Sequence, residues 1–149
     1  MMQINEVGLN FIKEREGFSS HPYYDDAHVP TIGYGFTYYP NGRRVTITDS
    51  PITEEEASGV LELLLRQYEL ATDSMTRDDI TQNQFNALVS FCYNVGVQNL
   101  RGSTLLKTVN QNPNNPEIAE QFMRWVYSGH KKNKGLAIRR SLEAKLYFS

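Results

Sequence analysis

The chain has 149 residues, of which 40% are hydrophobic and 21% charged. It is therefore long enough for one domain or two closely joined lobes, and too apolar to be disordered. Its one cysteine, Cys92, excludes an internal disulfide and lies in an apolar run typical of a buried, unreactive thiol. No run reaches the roughly 18 apolar residues that a membrane span needs, and the N-terminus does not read as a signal peptide. We expect a protein without stable membrane association that stays in the cytoplasm of the producing cell until release.

Charge is unevenly distributed along the chain, although the formal net charge is only −2. Residues 49–79 hold nine acidic and two basic side chains, whereas residues 130–149 are predominantly basic. The basic end could attract an anionic ligand, or both segments could be solvated helix faces of opposite sign. The basic cluster is short and has few aromatic neighbours, which argues against nucleic acid as a partner.

The first predicted helix covers residues 5–16, because Val7, Phe11 and Ile12 can share one side and Gly17 is a natural stop. Beyond it the composition changes. Residues 21–47 are rich in Tyr, Thr, Val and Ile with Gly and Pro between them, which is typical of strands and turns.

Two further local patterns predict a hairpin and a long helix. Residues 38–45 favour a hairpin, because Asn41-Gly42 occupies positions that tolerate positive φ. Thr53 with Glu56 forms a capping box that opens a helix over residues 53–75. That helix carries an apolar stripe of about four turns, which suits a helix bridging two lobes. The stripe consists of Ala57, Val60, Leu61, Leu64, Leu65 and Tyr68.

The rest of the chain is predicted to be helical. A second capping box, Thr81 with Gln84, precedes a helix over residues 85–95 that is apolar on nearly all sides. Three more helices follow, one capped by Ser103, one beginning at Asn115-Pro116 and one over residues 135–147. The inner face of the middle one is expected to be Ile118, Ala119, Phe122, Met123 and Val126.

These elements predict an α+β protein in which a small antiparallel β-sheet lobe is joined by a long helix to a helical lobe. We divide the single domain, residues 1–149, into an N-terminal lobe of about residues 14–52, a connecting helix of about residues 53–75 and a C-terminal lobe. The C-terminal lobe covers about residues 80–149 and includes the first helix. A cleft between the lobes would be a usual place for a ligand.

Residues 16–37 form the most informative segment. One carboxylate, Glu16, ends a helix, a second, Asp25, lies in the first strand, and the Thr31 hydroxyl begins the next strand. If that strand continues, Thr31, Gly33 and Gly35 share a face whose bare backbone a sugar chain could approach closely. The alternate positions would suit the core: Ile32, Tyr34 and Phe36.

Glycoside hydrolysis needs two carboxyl groups in different environments. Glu16 is the better acid, because apolar neighbours and the negative end of the helix dipole both disfavour its charged form. Asp25, on a more open strand, is the better ionised partner, and Thr31 could hold the attacking water. Alternation favours Asp25 over its neighbour Asp26, but paired carboxylates are common on surfaces, so spacing alone leaves the pair undecided.

The segment resembles that of the phage-type lysozymes of glycoside hydrolase family 24. Their motif is Glu, eight residues, Asp, five residues and Thr, which Glu16, Asp25 and Thr31 match. The run Thr31-Ile32-Gly33-Tyr34-Gly35 is also similar. Three later segments resemble the family as well: Phe91–Gly96 followed by residues 103–106, Trp125, and Gly135–Arg140 with Glu143-Ala144. The resemblance covers nearly the whole chain in the right order.

The resemblance implies a lysozyme-like two-lobed fold and hydrolysis of the β-1,4 bond between N-acetylmuramic acid and N-acetylglucosamine in bacterial peptidoglycan, with no cofactor and no metal. It implies Glu16 as general acid, Asp25 as partner carboxylate and Thr31 as the residue that positions water. It favours inversion, for which the carboxyl groups lie about 6.5–9.5 Å apart rather than about 5–5.5 Å. We expect a monomeric endolysin that acts on the cell wall after release by a separate pore-forming partner, a holin.

Two positions depart from the family pattern. Phe36 stands where the family usually has a His with a structural part, so this change bears on local stability. Pro30 precedes Thr31 at a position that is often aromatic. Because Pro fixes φ and lacks an N–H donor, this edge of the site is expected to differ in shape.

Several other residues could bind substrate, and each has a structural alternative. Ser90 and Asn94, one helical turn apart, could line the cleft, and Arg139 and Arg140 could meet carboxylates of the wall peptide. Ser90 could equally be a packing residue, and the arginines a solvated helix end. Tyr23 and Tyr24 could stack on sugar or fill a strand. The full predicted binding set is Gly33, Tyr34, Gly35, Ser90, Asn94, Arg139 and Arg140.

Two alternative functions stay open on the sequence. A lysozyme-like fold with a remodelled cleft could bind peptidoglycan without cleaving it. A lytic transglycosylase would need no attacking water, which would leave Asp25 and Thr31 without their roles. The three histidines lack the spacing of metal ligands, so no metal site is expected.

Overall fold

The computed structural model describes all of residues 1–149 as seven helices and four short strands. The helices are α1 (Glu6–Glu16), α2 (Glu54–Met75), α3 (Gln82–Val95), α4 (Val97–Arg101), α5 (Thr104–Gln111), α6 (Ile118–Met123) and α7 (Lys134–Tyr147). The strands are β1 (Ser19–Tyr24), β2 (Pro30–Gly33), β3 (Tyr127–Ser128) and β4 (Lys131–Lys132). They form two separate antiparallel pairs, β1 with β2 and β3 with β4. None of the helices is both long enough and apolar enough to span a bilayer.

The chain is organised as two compact units. Residues 10–67 form one, which we call the small unit, and residues 1–9 with residues 68–149 form the other, which we call the large unit. The boundaries between them fall inside α1 and inside α2.

α1 begins one residue later than predicted and ends at Glu16, as predicted. The Asn5 side chain accepts the N–H of Gly8 at 3.2 Å and so satisfies a free donor of the first turn. At the other end Gly17 adopts a φ of 70°, and its N–H donates to the Lys13 carbonyl at 2.9 Å. This closure places the Glu16 side chain at the last residue of the helix.

In the small unit, α2 opens with the predicted capping box. The Thr53 N–H donates to Glu56 Oε1 at 3.2 Å, and the Glu56 N–H donates to Thr53 Oγ1 at 3.0 Å. Three residues of the predicted apolar stripe are fully buried here: Ala57, Leu61 and Leu65. The local cap and the helical periodicity therefore agree, which explains why this helix was predictable.

The predicted hairpin at residues 38–45 turns where expected but pairs through a single bridge, between Tyr38 and Arg44. Gly42 has a φ of 86°, and its N–H donates to the Tyr39 carbonyl at 2.9 Å. The turn chemistry of Asn-Gly is thus confirmed, while a longer ladder does not form.

The large unit is built around α3, which is buried along most of its length. The predicted box between Thr81 and Gln84 caps it. The Phe91 ring meets the rings of Phe122 and Trp125 edge-on, at centroid distances of 5.7 and 5.5 Å. Such edge-to-face pairs add to the stability that burial provides.

Cys92 lies on the same helix, is fully buried, and forms no disulfide. Burial raises the pKa of its thiol, which disfavours the reactive thiolate. The prediction of a buried cysteine is therefore confirmed.

Parts of the large unit differ from the predictions. α6 begins at Ile118 rather than at residues 115–116, because the Asn115 side chain accepts the Glu117 N–H at 2.9 Å in a separate turn. Of its predicted inner face, Met123 is 38% exposed and Val126 is buried beyond the helix end. The short α4 and the β3–β4 hairpin were not predicted, because elements of two to five residues are too short for a periodic signal.

Candidate active site

The segment that carries the candidate catalytic residues lies wholly within the small unit. β1 follows α1 after a two-residue connection and pairs with β2, so that Tyr23 lies opposite Thr31 and Tyr24 opposite Pro30. Pro30 is the first residue of its strand, a position at which the missing N–H is tolerated. The sequence predicts Asp25 within the first strand, but β1 ends at Tyr24, so Asp25 begins the turn between the strands.

Glu16 lies against the backbone of Gly35. A Cβ placed on Gly35 would overlap Oε1 of the Glu16 carboxyl group. Gly35 also has a φ of 78°, which side chains other than glycine rarely adopt. This position therefore needs glycine twice over, for the backbone conformation and for the space that the carboxyl group occupies.

The Asp25 carboxylate is held by the turn that follows it. Its Oδ1 accepts the N–H groups of Ala27 at 2.9 Å and of Val29 at 2.8 Å. The Asp25 N–H donates to the Val29 carbonyl at 3.0 Å, which closes the turn. One carboxylate oxygen is thus fixed by backbone donors, and no hydrogen bond within the protein reaches Oδ2. Asp26, the alternative partner, is exposed.

Thr31 is nearly buried, with 3% of its surface exposed. Its hydroxyl donates to the Val29 carbonyl at 2.8 Å. Since the only hydroxyl proton is used in that bond, Oγ1 can take part in further hydrogen bonds only as an acceptor. A water molecule at Thr31 would therefore donate to Oγ1 and leave a lone pair free for reaction.

The Tyr23 phenol responds electrostatically to both carboxyl groups. Burial raises its pKa, and the negative charges of Glu16 and Asp25 raise it further. Both candidate catalytic carboxyl groups therefore act electrostatically on the same phenol. The sequence leaves Tyr23 between stacking on sugar and filling a strand, and only the strand register shows that it lies opposite Thr31.

The prediction of a bare glycine floor along β2 was wrong for Gly33. Tyr34 is buried, as the strand alternation predicted, so its place in the predicted binding set was wrong. The strand ends at Gly33, and the chain turns back so that Ile32 pairs with Phe36. A Cβ on Gly33 would lie 2.5 Å from the Phe36 ring, so this ring covers the glycine. Tyr34 is 3% exposed, and its hydroxyl donates to Glu54 Oε1 at 3.0 Å. Of this predicted set, Gly35 is the residue that lies against the carboxyl group of Glu16.

Phe36 itself is 1% exposed, and its ring meets the Tyr34 ring edge-on at 6.4 Å. The residue that departs from the family pattern therefore packs in the core of the small unit. Its role is structural, in line with the expectation that it bears on local stability.

The predicted binding residues Ser90, Asn94, Arg139 and Arg140 lie in the large unit. Ser90, Arg139 and Arg140 belong to a buried ion cluster, whereas Asn94 is exposed at its edge. Glu143, fully buried, accepts from Ser90 Oγ at 2.6 Å, from Arg139 Nε at 3.3 Å and from Arg140 Nη1. Arg140 also donates to the Asn94 side chain. Ser90 and Arg140 are fully buried, so the structure contradicts a direct contact of these two side chains with substrate. The i+3 and i+4 spacing of the arginines from Glu143 was the sequence signal for this cluster.

A cavity of about 270 Å³ lies elsewhere in the large unit, and none of Glu16, Asp25 and Thr31 lines it. Its walls are Gly102, Ser103, Thr104, Gln121, Arg124 and Trp125. Its lining therefore includes no candidate catalytic residue.

The chain matches the model of one known protein family, "Phage lysozyme", over residues 13–143. The chain belongs to the phage lysozyme family. This family assignment confirms the resemblance that the spacing of Glu16, Asp25 and Thr31 suggested.

Individual phage lysozyme relatives extend the match. The endolysin of Salmonella phage P22 is 36% identical over 149 residues, which cover the whole of both chains. The endolysin of Bacillus phage B103 is 36% identical over 148 residues. Those residues are 99% of this chain and 55% of that protein, so this phage lysozyme spans about half of the length of the Bacillus phage relative.

A solved structure shows the same fold. The endolysin from Escherichia coli O157:H7 phage FAHEc1 superimposes with a TM-score of 0.91 at 35% identity, over 99% of this chain and 94% of that one. The fold of this phage lysozyme is therefore the predicted lysozyme-like α+β fold.

Proposed function

We propose that this member of the phage lysozyme family is an endolysin that hydrolyses the β-1,4 bond between N-acetylmuramic acid and N-acetylglucosamine in bacterial peptidoglycan. The enzyme class rests on the family and on the full-length match to the P22 endolysin. The observation that carries the residue assignment is the turn at Val29, which fixes the Asp25 carboxylate and the Thr31 hydroxyl together.

Glu16 is the general acid in this proposal. It gives its proton to the glycosidic oxygen as the bond from that oxygen to the anomeric carbon breaks, so the leaving sugar departs as a neutral alcohol. Gly35 leaves room for the carboxyl group and blocks its movement on that side, because the glycine backbone lies directly against Oε1.

Asp25 and Thr31 act on the water in this proposal. Thr31 Oγ1 accepts one hydrogen bond from the water, which leaves an oxygen lone pair to attack the anomeric carbon. Asp25 accepts the proton that the water loses and stabilises the positive charge that develops on the sugar. Since the hydroxyl of Thr31 can only accept here, this arrangement supports direct attack by a water that donates to Oγ1.

The reaction needs two carboxyl groups and a water, and it requires no cofactor. For release to the cell wall we retain the expectation of a separate holin, and for the assembly state that of a monomer. Arg139 is buried against Ser90 and Glu143, so a direct contact of its side chain with wall peptide is not part of this proposal.

The test is product analysis of purified peptidoglycan digested by the wild type and by Glu16→Gln. We expect the wild type to release new reducing ends, and Glu16→Gln to stay folded with a rate lower by about 10²–10⁴-fold. Glu14→Gln is the matched control, because Glu14 lies on the same helix and 71% of its side chain is exposed. It is expected to keep full activity.

Each alternative function has its own product. Binding to peptidoglycan without reducing ends would show a non-catalytic binding module. Anhydro-muramyl ends in the mass spectrum would show a lytic transglycosylase. The anomer that proton NMR detects first in the products distinguishes inversion from retention.

A further inference from the structure

One residue in the turn after Asp25 has an unusual backbone. His28 has a φ of 61° and is the only residue other than glycine with a positive φ in the chain. Histidine adopts this left-handed conformation more often than most residues, but the conformation still costs energy for any side chain with a Cβ. Such a residue persists only where its surroundings hold it in place.

The ring of Tyr24 supplies a contact that can hold His28. The two rings stack at a centroid distance of 4.1 Å with an angle of only 5° between their planes. Tyr24 is the last residue of β1 and His28 lies four residues later, so the stack joins the two sides of the turn. Both side chains are exposed, which means that burial in the core does not explain the contact.

The backbone of His28 determines where Val29 points. The His28 N–H donates to the Asp25 carbonyl at 2.9 Å, and the next peptide unit directs the Val29 N–H to Asp25 Oδ1. The carbonyl of the same Val29 accepts the Thr31 hydroxyl. A change in the conformation of His28 would therefore move two groups of Val29 at the same time. These are the N–H that donates to Asp25 and the carbonyl that accepts from Thr31.

We propose that Tyr24 and His28 are positioning residues for the hydrolytic reaction, and that their ring stack keeps the Asp25 carboxylate and the Thr31 hydroxyl in their reactive orientation. This inference rests on the proposed function of Asp25 and Thr31. The rings themselves need not touch the reacting atoms, since they act through the backbone of Val29.

The first test measures kcat and KM on soluble glycan strands of peptidoglycan. Tyr24→Leu and His28→Ala each remove the stack, and we expect kcat to fall by about 10- to 100-fold in each, because small misplacements of reacting groups are costly. KM and the melting temperature are expected to stay unchanged. The double variant should be no slower than either single variant, since both remove the same contact. His28→Phe keeps an aromatic ring and is expected to restore most of kcat.

Tyr38→Leu is the matched control for this series. Tyr38 is an exposed tyrosine of the same unit that packs against the guanidinium of Arg44, 5.1 Å from its ring centroid. We expect wild-type kinetics from this variant. A loss equal to that of Tyr24→Leu would show a general effect of losing an exposed tyrosine and would overturn the proposal.

The second test is a crystal structure of Tyr24→Leu. We expect the Val29 N–H to turn away from Asp25 Oδ1, to which it donates at 2.8 Å with the stack present. An unchanged turn would overturn the positioning role, as would a raised KM with unchanged kcat, which would indicate direct contact of the rings with glycan. These outcomes differ from failure of the proposed function, which would appear as an inactive wild type.

Discussion

The carboxylates of Asp25 and Glu143 are held in opposite ways in the two units. In the small unit, Asp25 Oδ1 accepts two backbone N–H groups in a partly exposed turn, and no protein donor reaches Oδ2. In the large unit, Glu143 is fully buried, and donors from Ser90, Arg139 and Arg140 reach both of its oxygens. Asp25 is therefore oriented for chemistry, whereas both oxygens of Glu143 are used in hydrogen bonds that hold helices together.

The largest effect on stability is expected when the buried ion cluster around Glu143 is disrupted. Glu143→Gln removes the negative charge that Arg139 and Arg140 share, and leaves two guanidinium groups buried without it. We expect the free energy of unfolding to fall by about 3–5 kcal/mol, as measured by urea denaturation. Glu120→Gln, at an exposed position of the same unit, is the control and should change little. Equal stabilities of the two variants would show that the cluster is not a structural element.

The next largest effect is expected on activity, when the partly exposed carboxylate of Asp25 is changed. Asp25→Asn keeps an oxygen that can accept from Ala27 and Val29 but cannot take a proton from water. We expect stability close to that of the wild type and a rate of reducing-end release lower by about 10²–10⁴-fold. Asp26→Asn, one residue away and exposed, should keep its activity. The reverse pattern would make Asp26 the partner of Glu16.

The smallest effect is expected on the stability that a third carboxylate, Asp49, provides. Like Glu143, Asp49 accepts hydrogen bonds on both oxygens, but it lies near the surface. The hydrogen bond from the Tyr39 hydroxyl, with further donors from Thr46 and Arg43, lowers the pKa of Asp49 far below its ordinary value. A lowered pKa gives stability that is fully present above the unfolded value of about 3.9 and is lost as the pH falls through the folded value.

We therefore expect Asp49→Asn to lower the melting temperature modestly at pH 7. The gap to the wild type should narrow as the pH falls below about 4, because Asp49 of the unfolded wild-type chain then binds a proton while the folded carboxylate stays ionised. Calorimetry between pH 7 and pH 2 measures this. A gap that stays constant with pH would mean that the Asp49 charge does not stabilise the 38–49 loop.

The turn chemistry and the helix caps could be predicted because their causes lie within a few residues of one another. The capping boxes at Thr53 and Thr81 each involve a partner three residues away, and both form. Gly17 ends α1 through a positive φ that its own lack of a side chain permits. Glu16 was therefore correctly placed at a helix end before any tertiary contact was known.

The glycine-rich segment after Thr31 was predicted less well, because its path depends on packing. A continuing strand and a tight turn are both compatible with Gly33-Tyr34-Gly35. The turn forms because Ile32, Tyr34 and Phe36 can all be buried when the chain folds back at Gly33. Pattern rules that assume one element cannot distinguish these two paths.

The sequence by itself determined the family, the α+β order of elements and the spacing of Glu16, Asp25 and Thr31, since each depends on residue types at fixed separations. Only the tertiary structure decided that one peptide turn at Val29 holds two of these groups. It also decided that Ser90 and Arg140 are buried around Glu143. The reason is physical: local backbone preferences act over a few residues, whereas burial and the pairing of charges depend on which distant segments come to pack against one another.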